Sequence, residues 1–159
     1  MGQVVDIGSD RPDTPVVALI AHDALKDDLL RLVRAHRSML SGFRLAATRA
    51  SGRVLADELG IEVELVSSGP LGGDLQIGAR IVDGLIDAVI FLRDPLTAHP
   101  HEPDIQALLK LCDVHRVPVA TNLASAEILL HFLAGHVRAV EFLAGHVRAS
   151  EDVRMESSP

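Results

Sequence analysis

The 159-residue chain has no tryptophan, no tyrosine and four phenylalanines. Basic residues are scarce too: Lys plus Arg number 15 against 22 for Asp plus Glu, a formal net charge of −7. A nucleic-acid binder needs a basic field and rings on which bases can stack, so that class is excluded. A single cysteine, Cys112, excludes an intrachain disulfide framework and a thiolate zinc cluster, and it fits a reducing cytosol. Apolar runs such as Val16–Ala21 fall far short of the roughly 20 residues that span a bilayer. The N-terminal residues lack a basic start followed by an apolar stretch, so no signal peptide is expected, and Asp6 stands where a myristoylation signal wants Ser or Thr. With 48% hydrophobic and 23% charged residues the chain is too apolar to be disordered and long enough for a real core. The expectation is one soluble, acidic, cytoplasmic domain that touches neither nucleic acid nor membrane.

What is present is an alternation. Residues 1–14 read as a flexible polar leader. Buried-strand runs follow at 16–21, 43–47, 61–66, 87–92 and 117–120. Helical patterns lie between them, over 24–39 with Asp23 as N-cap, over 51–59 up to Gly60, over 74–84 and over 104–115, and a last one starts after Ser125. Short apolar strands alternating with helices predict an α/β fold: a single three-layer domain, a five-stranded parallel sheet flanked by helices, doubly wound in the Rossmann-like manner. Such sheets bind ligands beyond the carboxyl ends of their strands, and the polar residues gather in those loops. In the tail, residues 132–139 recur unchanged as 142–149, an offset of ten. That turns a helix by about 80°, so the copies share no stripe and read as a local duplication.

Several clusters could carry chemistry. Ser68-Gly69-Pro70-Leu71-Gly72-Gly73-Asp74 joins a strand to a helix and suits either an anion or a tight turn, with Asp74 able to cap. It matches neither GxGxxG nor a Walker loop. His22 and Lys26, one helical turn apart, could hold a phosphate or form a solvated first turn. Thr48 and Ser51 could bind phosphate or cap. Asp94, His99, His101, Glu102 and Asp104 share one loop, open to proton transfer, to a metal or to plain solvation. His36, His115, His131, His136 and His146 read as structural, and Cys112 as a buried inert thiol.

These motifs, in order, resemble the methylglyoxal synthase family. Val17-Ala18-Leu19-Ile20-Ala21-His22-Asp23 with Lys26 resembles its opening, and Ser68–Asp74 with Gln76 and Gly78 its central signature. Asp94-Pro95-Leu96, then His99–Asp104, and Pro118–Asn122 resemble the remainder, collinear over about residues 16–132. The resemblance implies a methylglyoxal synthase-like catalytic domain over 15–135 and a lyase converting dihydroxyacetone phosphate to methylglyoxal and inorganic phosphate, with neither metal nor organic cofactor. It also implies a homohexamer that is often inhibited by phosphate, with allosteric behaviour. By position it makes Asp74 the catalytic base and His101 the proton-shuttling histidine, with Asp94 and Asp104 as supporting carboxylates. His22, Lys26, Thr48, Arg49, Ala50, Ser51, Ser68 and Gly69 fall at substrate and phosphate contacts.

The family's usual Thr-Gly-Thr-Thr-Gly loop reads Thr48-Arg49-Ala50-Ser51-Gly52 here, losing one glycine and one hydroxyl and gaining a cation. The tail, 136–159, does not match well, although Arg138, Arg148 or Arg154 could complete a neighbouring subunit's site. The alternative is a non-catalytic anion-binding regulatory module of the same fold. A triose phosphate isomerase is excluded, because its barrel needs about 250 residues.

Overall fold

A computed structural model of the chain describes residues 14–135. The leader, apart from Thr14, and the tail over 136–159, with Arg138, Arg148, Arg154, His136 and His146, lie outside the described residues. Five strands form one sheet in the order β3-β2-β1-β4-β5, every pair parallel. They are β1 (Val16–Ala21), β2 (Arg44–Thr48), β3 (Glu64–Val66), β4 (Ala88–Leu92) and β5 (Val119–Ala120). The helices are α1 (Lys26–Ala35), α2 (Arg37–Leu40), α3 (Arg49–Leu59), α4 (Gly73–Val82), α5 (Glu102–His115) and α6 (Leu123–Gly135). The expected α/β three-layer architecture is the one observed.

The central strands are apolar at every position because both faces of the sheet are covered. Val17, Leu19 and Ala21 of β1, with Ala88, Ile90 and Leu92 of β4, face α1, α2, α3 and α6. Val16, Ala18 and Ile20, with Val89 and Phe91, face α4 and α5 instead. The period of two along each strand thus divides the molecule into two cores. Cys112 sits in the second, where burial above all pushes its thiol up to about 12, as an inert thiol requires.

Element ends differ from expectation in informative places. β3 and β5 run three and two residues where six and four were expected, since each is an edge strand and Pro118 cannot donate to a ladder. The single helix expected over 24–39 is three pieces: a 3-10 turn at Asp23–Leu25, then α1, then α2. Asp23 does not cap α1; Leu25 occupies that position, with no side-chain cap. His36 breaks the run at φ −107°, ψ 20°, and the turn still delivers Leu40 into the core. α6 starts two residues before Ser125, because Asn122 Oδ1 accepts from the Ser125 N–H at 3.0 Å while Ser125 Oγ donates to the Asn122 carbonyl at 3.1 Å. Pro103 is accommodated in the first turn of α5, where no N–H is required.

Candidate active site

β1 and β4 are neighbours, yet the helix after β1 packs on one face of the sheet and the helix after β4 on the other. Their loops diverge and leave a crevice at the carboxyl ends of both strands. Among the described residues four polar side chains are buried, His22, Thr48, Ser51 and Asp74; His22, Thr48 and Asp74 line this crevice and Ser51 stands directly behind it, against Lys26. Burial of a polar group costs free energy unless it is partnered, so their convergence marks a site rather than a core accident. The cavity there is about 560 Å³.

Asp74 enters from the turn after β3. Gly72 takes φ +91°, a left-handed conformation, and a Cβ on Gly73 would lie 2.0 Å from the Ser67 carbonyl oxygen. Only glycines make that turn, and it sets Asp74 in the first turn of α4 with its carboxyl facing the cavity. Both carboxyl oxygens are buried and without a hydrogen-bond partner, so Asp74 does not cap its helix. His101 Nε2 stands 3.5 Å from Asp74 Oδ2. The Gly69 backbone lies against the pair, so close that a Cβ there would be 3.1 Å from His101 Nε2. Burial raises the Asp74 pKa above the ordinary carboxylate range; His101 opposes the rise, the Asp104 charge adds to it, and Lys26 opposes it. A carboxyl raised in this way holds a proton more tightly than an ordinary Asp does, which suits a group that takes a proton and gives it back.

His22 follows β1 directly. Its Nδ1 accepts the Asp94 N–H at 2.9 Å, so the neutral ring carries its proton on Nε2, which is buried, unpartnered and beside the cavity. Burial, then the charges of His99, His101 and Arg93, pull its pKa down to about 4. His22 is therefore a neutral donor at pH 7. His99 stacks on it with ring centroids 3.7 Å apart, and His99 Nε2 lies 3.3 Å from the Asp94 carbonyl oxygen. The Asp94 carboxylate accepts from the Leu96 N–H at 3.0 Å, and hydrogen bonds from Thr97 and Leu96 hold its pKa low. Asp94 thus stiffens the loop that orients His22.

Lys26 reaches back beneath β1. Its ammonium donates to the Ala21 carbonyl and, at 2.9 Å, to Ser51 Oγ. Ser51 Oγ also accepts the Ala21 N–H at 3.0 Å, and Thr48 Oγ1 lies 3.3 Å from it. Burial lowers the Lys26 pKa, and Asp23 and Asp74 work against that. Thr48 is the residue before α3 and makes no side-chain cap, so the first N–H groups of α3 open toward the same place. A cation beside a helix start is an anion seat.

A family model described as MGS-like domain matches residues 28–121. Methylglyoxal synthases of Burkholderia mallei (strain SAVP1) and Burkholderia thailandensis (strain E264) are 58% and 59% identical to the chain over 126 and 121 residues. These alignments cover 79% and 76% of this chain and 97% and 93% of those proteins. The chain belongs to the methylglyoxal synthase family. A crystal structure of methylglyoxal synthase from Elizabethkingia anophelis NUHP1 superposes with a TM-score of 0.70 at 44% identity, covering 75% of this chain and 78% of that one. Members of the family are lyases, and this chain is an enzyme of that kind.

The crevice gathers most of the residues singled out in the sequence. His22, Lys26, Thr48, Ala50, Ser68, Gly69, Asp74, Asp94 and His101 line the cavity. Three others stand behind it or beside it. Ser51 is fully buried and holds Lys26. Arg49 is exposed, tied to the site by its N–H to the Ser67 carbonyl at 3.3 Å. Asp104 acts on Asp74 by its charge, and its N–H donates to the His101 carbonyl at 3.0 Å. His99 also lines the cavity although it was not among the expected contacts, as do Asp23 and Thr97; its place in the Asp94–Asp104 loop was the available signal, but its stacking on His22 joins residues 77 apart in sequence. Glu102 instead pairs with Arg93 at 3.2 Å. Among the described residues this loop does not assemble three ligand atoms close enough for one metal ion. A second cavity, about 590 Å³, opens beside the starts of β2 and β3, and none of the four buried polar residues lines it.

Proposed function

We propose that this chain converts dihydroxyacetone phosphate to methylglyoxal and inorganic phosphate. The observation that carries the reading is the buried, unpartnered Asp74 carboxylate 3.5 Å from His101 in the cavity that also contains Lys26. Asp74 takes a proton from the hydroxymethyl carbon alpha to the ketone. The electron pair moves into an enediolate, whose oxygens accept from His101 and from the Nε2–H of His22. The enediolate collapses, the bond from carbon to the phosphate oxygen breaks, and phosphate leaves. The proton that Asp74 took goes to the departing phosphate, relayed by His101, and the enol that remains, an isomer of methylglyoxal, gives up its hydroxyl proton as its terminal carbon gains one. Elimination requires the breaking C–O bond to stand perpendicular to the enediol plane, so the phosphate must be held firmly. Lys26, the Thr48 hydroxyl and the first N–H groups of α3, from Ala50 onward, are the groups for that task, with Ser68 and Gly69 closing the other wall.

The same Asp74 argues against a pure anion-binding module. An unpartnered buried carboxyl in an anion pocket only weakens binding, whereas a base needs that environment. The test is an assay of methylglyoxal and phosphate release by the purified protein and by Asp74→Asn. Stoichiometric release of both, lost in the variant, is expected; phosphate binding without turnover by the folded wild type refutes the reading.

We also infer a homohexamer that binds the product phosphate as an inhibitor. Exposed Leu71, Leu96 and Ile128, each more than two-thirds accessible, support burial against further subunits. Light scattering on the intact protein decides the assembly.

A further inference from the structure

On the face of the sheet away from α4 and α5, the break between α1 and α2 meets α6. His36, at that break, places Nε2 2.5 Å from Glu127 Oε2. His131, one helical turn beyond Glu127 on α6, places Nε2 3.9 Å from the same oxygen. The three ligand atoms all lie within 4.8 Å of one another. None of these residues lines the catalytic cavity.

We propose that His36, Glu127 and His131 form a zinc site separate from the active site. Two imidazoles and one carboxylate are a donor set suited to Zn²⁺. Bonds of about 2.1 Å in a tetrahedral arrangement put ligand atoms roughly 3.4 Å apart. The 2.5 Å pair must widen and the 3.9 Å pair must close, each by less than about 1 Å, which rotation about side-chain bonds supplies. Glu127 and His131 are four apart on one helix, so they already share a face, and His36 comes from a separate element across the contact between α1 and α6. His36 is 12% exposed and His131 69%, so one ligand is anchored within the fold while the other leaves the site open to an entering ion and to a water as fourth ligand. A bound ion cross-links α6 to the α1–α2 junction. Because it binds the folded chain and not the separated elements, it stabilises the fold.

The test is equilibrium dialysis of the metal-stripped full-length protein against Zn²⁺, with thermal melting by circular dichroism and Co²⁺ as a spectroscopic probe. One ion per chain is expected. At a free Zn²⁺ a hundred times the dissociation constant, the melting temperature rises by roughly 5–10 °C. His131→Ala, on the surface, and Glu127→Gln, which keeps shape, each weaken binding at least tenfold and abolish the tetrahedral Co²⁺ spectrum, with folding checked by the melt. His99→Ala and a His136→Ala/His146→Ala double variant retain both. No saturable binding, or binding unchanged in His131→Ala and Glu127→Gln, or binding lost with the active-site or tail histidines instead, overturns the proposal.

Discussion

Asp74→Asn separates the cost of burying the carboxyl proposed as the base from its use. In the wild type above the raised pKa of Asp74, a charge with no hydrogen-bond partner sits fully buried. An unsatisfied buried polar group costs about 1–3 kcal/mol, more when charged. The neutral, nearly isosteric amide removes the charge. Against this, the first turn of α4 loses an acidic residue, worth about 0.3–1 kcal/mol from the helix dipole, and Lys26 loses a favourable neighbour. The net expectation is a gain of roughly 0.5–2 kcal/mol, or about 1–8 °C in Tm for a chain of this size. The sign with pH follows from the raised pKa. The folded state holds the Asp74 proton more tightly than the unfolded state does, so the wild-type stability from this group is complete below the ordinary carboxylate pKa and falls as pH rises through the folded-state value. Asp74→Asn therefore matches the wild type in acid and exceeds it at pH 8. Thermal melts at 222 nm, at pH 8 and at the lowest pH where both proteins stay folded, make the comparison; with no Trp or Tyr, fluorescence is of little use. The same variant loses 10²–10⁴-fold in turnover, roughly the worth of a positioned base. An Asn variant less stable than the wild type at pH 8 refutes the reasoning.

Other residues give sharper local tests. His22 has a folded-state pKa of about 4 against an ordinary 6.5, so the stability it contributes is present above pH 6.5 and lost as pH falls toward 4. His22→Gln flattens that acid limb by up to about 3 kcal/mol, measured by urea midpoints from pH 7 to pH 4.5; an unchanged slope contradicts the assignment. Lys26→Ala removes the ammonium held by Ser51 and Ala21, and kcat/KM falls roughly 10–10²-fold with weaker competition by inorganic phosphate, whereas a change within twofold excludes the phosphate role. Gly73→Ala drives a Cβ to 2.0 Å from a backbone oxygen and costs at least about 1–3 kcal/mol, and a melt unchanged from the wild type shows the turn can relax.

The parts of the fold legible in the sequence were those whose cause is local. Val16–Ala21 and Ala88–Leu92 are continuous apolar runs because parallel central strands are covered on both faces, and the polar residues that follow them could only be in loops. The glycines before Asp74 announced a tight turn into a helix, and the collinear motifs supplied the family. Asn122 and Ser125 carried a cap signature that places the start of α6, although the expectation put it later. What stayed hidden depends on contacts distant in the chain. Ser51 belongs to Lys26, 25 residues away, rather than to the cavity wall. His99 belongs to His22 through ring stacking. The helical period ran unbroken through His36, and its meeting with Glu127, 91 residues on, is set by how α1 and α6 pack. The short edge strands reflect pairing on one side alone, which composition does not record.

On the proposed function, the crevice must take an anion in a chain of net charge −7, and the local charge pattern suits that task. The long-range field repels a phosphate ester, so capture must come from groups within a few ångströms. Lys26 is anchored there by neutral acceptors, the Ala21 carbonyl and Ser51 Oγ. A carboxylate partner in their place would hold the ammonium equally well but cancel the charge that the proposed phosphate seat needs. Ser51 therefore does what an acidic residue could not: it fixes the lysine without neutralising it. Asp74 faces the same cavity, close enough to influence Lys26, yet makes no hydrogen bond to it, and burial raises its pKa. The two ionisable groups are kept out of a salt bridge that would lower the pKa of the base and mask the cation. On the proposed mechanism, one site can then present a basic carboxyl to carbon and a positive charge to phosphate at once, which the proposed elimination requires.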